Sequence, residues 1–212
     1  ITWPNKTFIQ PNEFHNEEQF GRTVSISGNT MVVSSDRGTY IYERNEGGLN
    51  NWGQFKVLPV IGFSVAISGD TIIVGDYWDD EKGPSTGAAY VFERNAGGID
   101  QWGLVKKLTA VDGKAYDNFG TWLAISTDTV VVSSVGTYIF ERNAGGTNNW
   151  GQVKKIPVSG YVTISGDTVV VSSDGTYIFE RNAEGINSWG QVKKLPVSGR
   201  VAMSGDTLVV GG

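Results

Sequence analysis

Four carboxylates crowd one short stretch of the chain, "DYWDDEKGPSTG", at Asp76, Asp79, Asp80 and Glu81. Two carboxyl groups held about 5–10 Å apart in a cleft can cleave a glycosidic bond, one protonating the leaving oxygen and the other attacking or activating water. Asp112 and Asp117 would be the second members of such a pair. All six lie in links and loops rather than at strand ends facing a channel. The single histidine, His15, has no Ser-Asp set to complete a triad, and without cysteine there is neither a thiol nucleophile nor a CxxC metal site. The motifs therefore carry no catalytic assignment. Polysaccharide cleavage by the loop carboxylates stands as a minor alternative.

A second set of residues suits recognition better than turnover. Tyr77 and Trp78 stand beside Asp79, Asp80 and Glu81, and Trp78 belongs to no repeating column. Arg22, Phe63, Trp122, Tyr161 and Arg200 occupy equivalent places just after a link, with Trp122 one place along. Flat apolar faces with a few oriented charges are what a sugar- or peptide-binding surface uses. These ten residues are the candidate ligand site. The bland reading of the acidic loop is a solvated turn.

The bulk properties narrow the partners. The 212 residues carry a net charge of −5 and no basic stripe, a poor match to nucleic acid or an anionic membrane surface. No apolar run approaches the ~18 residues a spanning helix needs. The chain starts at Ile1, as a mature or trimmed product would, and Asn5-Lys6-Thr7 fits the N-glycosylation pattern.

What must position these residues is a repeat. Glu-Arg-Asn recurs at Glu43-Arg44-Asn45, Glu93-Arg94-Asn95, Glu141-Arg142-Asn143 and Glu180-Arg181-Asn182, followed each time by a Trp-Gly pair at Trp52, Trp102, Trp150 and Trp189. A Ser-Gly-Asp/Asn-Thr turn recurs at Gly28, Gly69, Gly166 and Gly205, with Thr127-Asp128 as a variant. Between these markers run short β-branched and aromatic segments such as "TVVVSS" and "TYIFER", which read as strands, and no sustained helical period appears. Four antiparallel strands per unit of roughly 40–50 residues describe a propeller blade. Such a sheet buries both faces only by stacking on its neighbours, which is why copying one blade also copies a compatible interface. The four tryptophans are expected between blades, and the Glu-Arg-Asn arginines are expected to brace the adjacent loop.

The segments "FGRTVSISGN" from Phe20, "FGTWLAISTD" from Phe119, "GAAYVFERN" from Gly87 and "KLTAVDGKAYDNFG" from Lys107 resemble FG-GAP repeats, the blades of integrin-α-like propellers. The resemblance spans nearly the whole chain. It implies a secreted or cell-surface propeller that binds proteins or glycans. Calcium-binding members carry an Asp-x-Asp-x-Asp-Gly loop between the first two strands. Here only a tight turn stands there, too short to supply calcium's six to eight oxygens, so no metal or cofactor is carried over.

The expectation is one all-β domain over 1–212, a propeller of five blades. Repeats fall at about 20–60, 61–118, 119–158 and 159–197, and a partial repeat at 198–212 combines with 1–19, where Trp3 and Lys6 sit like a fourth strand. Neither end supplies a third strand, so the last blade is composite or incomplete. The leading functional reading is a non-catalytic extracellular binding module, lectin-like or adhesin-like, acting through the variable loop face. The alternative is an assembly module, a homo-oligomer or a complex with a partner chain, joined through an open blade edge.

Overall fold

The computed structural model describes residues 8–13 and 19–212. The proposed N-terminal strand around Trp3 and Lys6, the Asn5-Lys6-Thr7 triplet and His15 lie outside the described residues.

Eighteen strands and no helix are present among the described residues. β1 (Val24–Ser27), β2 (Thr30–Ser34), β3 (Thr39–Arg44) and β4 (Trp52–Leu58) form the first sheet. β5 (Ser64–Ser68), β6 (Thr71–Asp76), β7 (Ala88–Glu93) and β8 (Gly103–Leu108) form the second. β9 (Trp122–Ser126), β10 (Thr129–Ser133), β11 (Thr137–Glu141) and β12 (Gly151–Ile156) form the third, and β13 (Tyr161–Ser165), β14 (Thr168–Ser172), β15 (Thr176–Glu180) and β16 (Gly190–Leu195) the fourth. Among the described residues, β17 (Arg200–Ser204) and β18 (Thr207–Gly211) pair only with each other. Every sheet is an antiparallel meander in chain order. The described residues form an all-β, propeller-like stack of four four-stranded blades and a two-stranded half-blade.

Local chemistry sets each blade. The first hairpin closes through two residues, with Ser27 opposite Thr30 and Ser68 opposite Thr71. Gly28 and Gly69 have φ of 58° and 55° while the residue after each does not, the pattern of a type II′ turn. The hairpin between the third and fourth strands takes Asn45 and Asn182 into the left-handed region, which asparagine tolerates. Its two strands slip register at one point in every complete blade, for example between Ile139 and Phe140, leaving Val153 as the bulged residue.

The core lies between blades. Val32, Ile41 and Leu58 of the first blade pack on Ile72, Val74, Phe92 and Trp102 of the second. Ile73, Val91 and Leu108 of the second pack on Val130, Val132, Phe140 and Trp150 of the third. Val131, Ile139 and Ile156 of the third pack on Val169, Val171, Phe179 and Trp189 of the fourth. Trp102, Trp150 and Trp189 are each 1% exposed. Burying side chains of this size contributes roughly 1.5–3 kcal/mol apiece, so the interfaces hold the fold.

The repeated arginines do more than brace a loop. Arg94 Nη1 bonds Glu43 of the preceding blade at 2.9 Å, and its Nη2 donates to Thr30 Oγ1 of that blade at 2.7 Å. Its Nε binds Asp70 of its own blade at 2.7 Å, and its guanidinium lies 4.5 Å from the Trp102 ring centre. Arg142 repeats this with Glu93, Thr71, Asp128 and Trp150, and Arg181 with Glu141, Thr129, Asp167 and Trp189. These arginines are rivets between blades.

Candidate functional site

The first strands of successive blades pack side by side, β1 on β5, β5 on β9, β9 on β13 and β13 on β17. Residues at the start of these strands therefore converge. Arg22, Phe63, Trp122 and Arg200 line one cavity of about 700 Å³, together with Tyr77 from the β6–β7 loop and Asn118 from the link before β9. Tyr161 joins through Trp122, their ring centres 4.5 Å apart.

Two aromatic–cation runs build the wall. Arg22 lies 4.5 Å from the Phe63 ring centre, and Phe63 meets Tyr77 at 4.1 Å and Trp78 at 4.5 Å. On the other side Arg200 lies 5.4 Å from the Tyr161 ring. Phe63 is buried, Trp122 and Tyr161 are half-buried, and Trp78 is 60% exposed. Arg22 Nη2 donates to Gln19 Oε1 at 2.6 Å, whereas its buried Nη1 has no partner among the described residues. The mouth thus presents aromatic faces, two guanidinium groups and unused donor capacity, a combination suited to an anionic or hydroxyl-rich group.

The acidic loop is organised from within. Asp79 accepts from Lys107 Nζ at 2.8 Å and from the Tyr90 hydroxyl at 2.5 Å, and Glu81 pairs with the same lysine. Burial works against the Asp79 carboxylate, but Lys107, Tyr90 and the Glu81 N–H outweigh it and hold its pKa below the usual value. Burial, reinforced by the Asp79 hydrogen bond, pushes the Tyr90 hydroxyl up to about 12. Asp80 Oδ1 accepts from the Ser85 N–H at 2.6 Å. Asp76 accepts from the Trp78 N–H at 3.0 Å, and burial pushes its carboxyl up. Among the candidate second carboxylates, Asp112 is held by Lys155 and Tyr138, and Asp117 accepts from the Lys114 N–H at 2.8 Å.

Of the ten residues read from the sequence, the structure gathers Arg22, Phe63, Tyr77, Trp78, Trp122, Tyr161 and Arg200 around the mouth. Asp79 and Glu81 are turned to Lys107. A Lys–Tyr–Asp cluster recurs as Lys107–Tyr90–Asp79, Lys155–Tyr138–Asp112 and Lys194–Tyr177–Asp174. The sequence concealed it because the aspartate comes from a blade link in the third blade and from a β-strand loop in the other two. Gln19, Thr23 and Thr121 also line the cavity and carried no signal in the sequence.

Comparison with solved structures returns distant matches. Hsv2 of Kluyvelomyces marxianus aligns at 12% identity over 87% of this chain and 54% of its own, with a TM-score of 0.50. Kluyveromyces lactis Hsv2 aligns at 12% identity over 82% and 49%, with a TM-score of 0.49. The N-terminal domain of Nup159 aligns at 12% identity over 84% and 49%, also at 0.49. The chain spans about half the length of these structures, and the first of them matches in fold alone. No curated protein matches the chain. In sequence, residues 61–92 and 102–149 match the FG-GAP repeat. In the structure those residues bring the two halves of the motif together: Gly87 forms a parallel bridge with Phe119, and Phe119 is fully buried against Tyr138 and Phe140. Across these residues the chain carries FG-GAP repeats, set in a propeller-like stack of antiparallel blades.

Proposed function

We propose that this chain is a non-catalytic extracellular binding module, secreted or displayed at the cell surface, that recognises a glycan or protein ligand at the mouth lined by Arg22, Phe63, Tyr77, Trp78, Trp122, Tyr161 and Arg200. One observation carries the reading. Aromatic faces and guanidinium groups from the starts of five first strands converge on one mouth, while the recurring Trp and Arg columns are spent on joining blades. The ring faces would stack on a sugar or an apolar side chain, and Arg22 and Arg200 would take its acidic or hydroxyl groups. Asp79, Asp80 and Glu81 would act by fixing the loop that carries Tyr77 and Trp78. No helix among the described residues is long and apolar enough to cross a membrane.

The test is a glycan array followed by calorimetry with the strongest ligand. Trp78→Ala combined with Trp122→Ala should weaken binding at least tenfold, and so should Arg22→Ala, with the far-UV spectrum unchanged. Parent-like affinity in both variants would remove the site. Turnover of the bound polysaccharide, lost on substituting Asp79, Asp80 and Glu81 together, would replace binding by catalysis.

A further inference from the structure

The arginines of this chain divide by the company they keep. Arg94, Arg142 and Arg181 are each neutralised by at least two carboxylates. Arg22 and Arg200, at the mouth, pair with no carboxylate among the described residues. Arg22 makes one hydrogen bond, to the neutral amide oxygen of Gln19, and Arg200 makes none there. Each is held against a ring instead, Arg22 at 4.5 Å from the centre of Phe63 and Arg200 at 5.4 Å from that of Tyr161. The chain has 22 acidic residues and a net charge of −5, yet the described lining of the cavity contains no Asp or Glu. Asp79 and Glu81, on the loop that carries Tyr77, are both paired with Lys107. At 0.15 M salt a charge is felt over about 8 Å, so acidic groups spread over the rest of the surface do little at the mouth. Two uncompensated guanidinium groups set the local sign.

Neutral donors are placed at the same mouth. Gln19 and Asn118 stand one place before Phe20-Gly21 and Phe119-Gly120, and both line the cavity. Phe20 packs edge-on to Tyr40 and Tyr42 as Phe119 does to Tyr138 and Phe140, so the two amides occupy equivalent positions in the first and third blades. Both residues are in the left-handed region, with φ of 46° and 57°. Asparagine adopts it readily, whereas for glutamine it costs about 1–2 kcal/mol. Neither side-chain NH2 group donates to a partner among the described residues. A pair of guanidinium groups would also take the side chains of an acidic peptide. The ring faces and the unpaired amides favour a saccharide, whose C–H faces and hydroxyls match them.

We infer that the mouth takes an acidic oligosaccharide, one that carries carboxylate or sulfate groups on neighbouring sugars. Arg22, Phe63, Trp122, Tyr161 and Arg200 follow one another around the adjoining first strands, with the cations at the two ends and the aromatics between. A sugar ring lies on the aromatic run, its hydroxyls meet the Gln19 and Asn118 amides, and the anionic groups on either side pair with Arg22 and Arg200 through charge-assisted hydrogen bonds. The inference rests on the mouth being the ligand site and adds to it the charge of what is bound there.

Two hexasaccharides serve as probes in calorimetry, oligogalacturonate for carboxylate alone and chondroitin sulfate for carboxylate with sulfate. Each is compared with its neutral counterpart, the full methyl ester for the first and the desulfated, carboxyl-reduced form for the second. At least one acidic form should bind tenfold or more tightly than its counterpart, and that preference should shrink as sodium chloride is raised from 50 to 500 mM. Arg22→Gln with Arg200→Gln should abolish the preference at an unchanged melting temperature, and Arg22→Lys with Arg200→Lys should restore part of it. Neutral forms that bind as well as the acids, with both lost in Trp78→Ala/Trp122→Ala, would overturn this inference and leave the mouth as the ligand site. A preference for the acid that survives Arg22→Gln/Arg200→Gln would overturn it too, as would failure of every probe to bind. The site itself fails separately, on parent-like affinity of the tryptophan variant for whatever ligand the array selects.

Discussion

Arg142 and Glu93 belong to different blades, yet they form an ion pair whose members are each about one-fifth exposed. The same guanidinium also binds Thr71 and Asp128 and covers Trp150. Removing it strands a largely buried carboxylate and uncovers an indole. Arg142→Ala should cost about 2–3 kcal/mol, read from urea unfolding midpoints. Arg142→Lys keeps the charge but loses the fork that reaches several acceptors at once, and should recover less than half of that. Arg44→Ala is the matched control. With no carboxylate on Arg44 among the described residues, it should cost under ~1 kcal/mol, the scale of an exposed cation–π contact.

The loop carrying Trp78 should respond to acid through Asp79. A carboxylate whose folded pKa is depressed stabilises the fold above its unfolded value, about 3.9, and loses that contribution as pH falls through the folded value. Asp76 has the opposite sign, since its raised pKa makes its protonated form the one the fold prefers. Asp79→Asn should therefore lower the melting temperature at pH 7 and flatten its fall below about pH 5, whereas Asp76→Asn should raise it at pH 7. At the alkaline end, Tyr90 keeps its proton in the fold up to about 12, so its share of stability fades as pH rises from about 10. Tyr90→Phe should remove that alkaline step.

Much of this architecture was legible in the sequence, because a blade's hydrophobic faces, turns and tryptophans recur at a fixed spacing and the period itself names the fold. The rivet was misread as a local brace, although the signal was present. Glu93 and Arg94 are neighbours at a strand end, and neighbours on a strand point to opposite faces. The glutamate must therefore reach one adjacent blade and the arginine the other. The Lys–Tyr–Asp cluster around Asp79 had no such signal, since its aspartate enters from different loops. The mouth residues were readable as a column, but their stacking partners depend on how the blades are set against one another, which no single repeat encodes.

Gly87 sits where the loop of the second blade crosses the link to the third. Its φ is 79°, and a Cβ there would lie 2.2 Å from the Phe119 carbonyl oxygen and 2.4 Å from its nitrogen. Both contacts are to backbone, so the neighbour cannot swing aside. Gly87→Ala must break the Gly87–Phe119 bridge or move the link, and should cost more than about 2 kcal/mol through strain and lost Phe119 packing. Amide exchange should show the loss first at residues 76–87 and 118–120. Protection there equal to the parent's would contradict this account.

Thr127 offers the reverse experiment. It occupies the first central position of the third blade's hairpin, where the other turns have Gly28, Gly69, Gly166 and Gly205, and it holds φ at 49°. An added Cβ at those four glycines would meet nothing within 4 Å, so what matters at the position is backbone conformation rather than space. A β-branched residue in the left-handed region costs about 1–2 kcal/mol, and the extra chain freedom that glycine brings to the unfolded state offsets roughly 0.4–1 of it. The side chain's own bond, from Thr127 Oγ1 to the Ser126 carbonyl at 2.8 Å, is exposed and contributes little. The backbone N–H keeps its bond to Ser68 Oγ whatever the side chain. Strain therefore outweighs entropy, and Thr127→Gly should stabilise the protein by about 0.5–1 kcal/mol, a rise of roughly 1–4 °C in melting temperature for a domain of this size. Gly69→Thr should lower it by a similar amount, and a fall in both variants would show that the turn is not what limits the third blade.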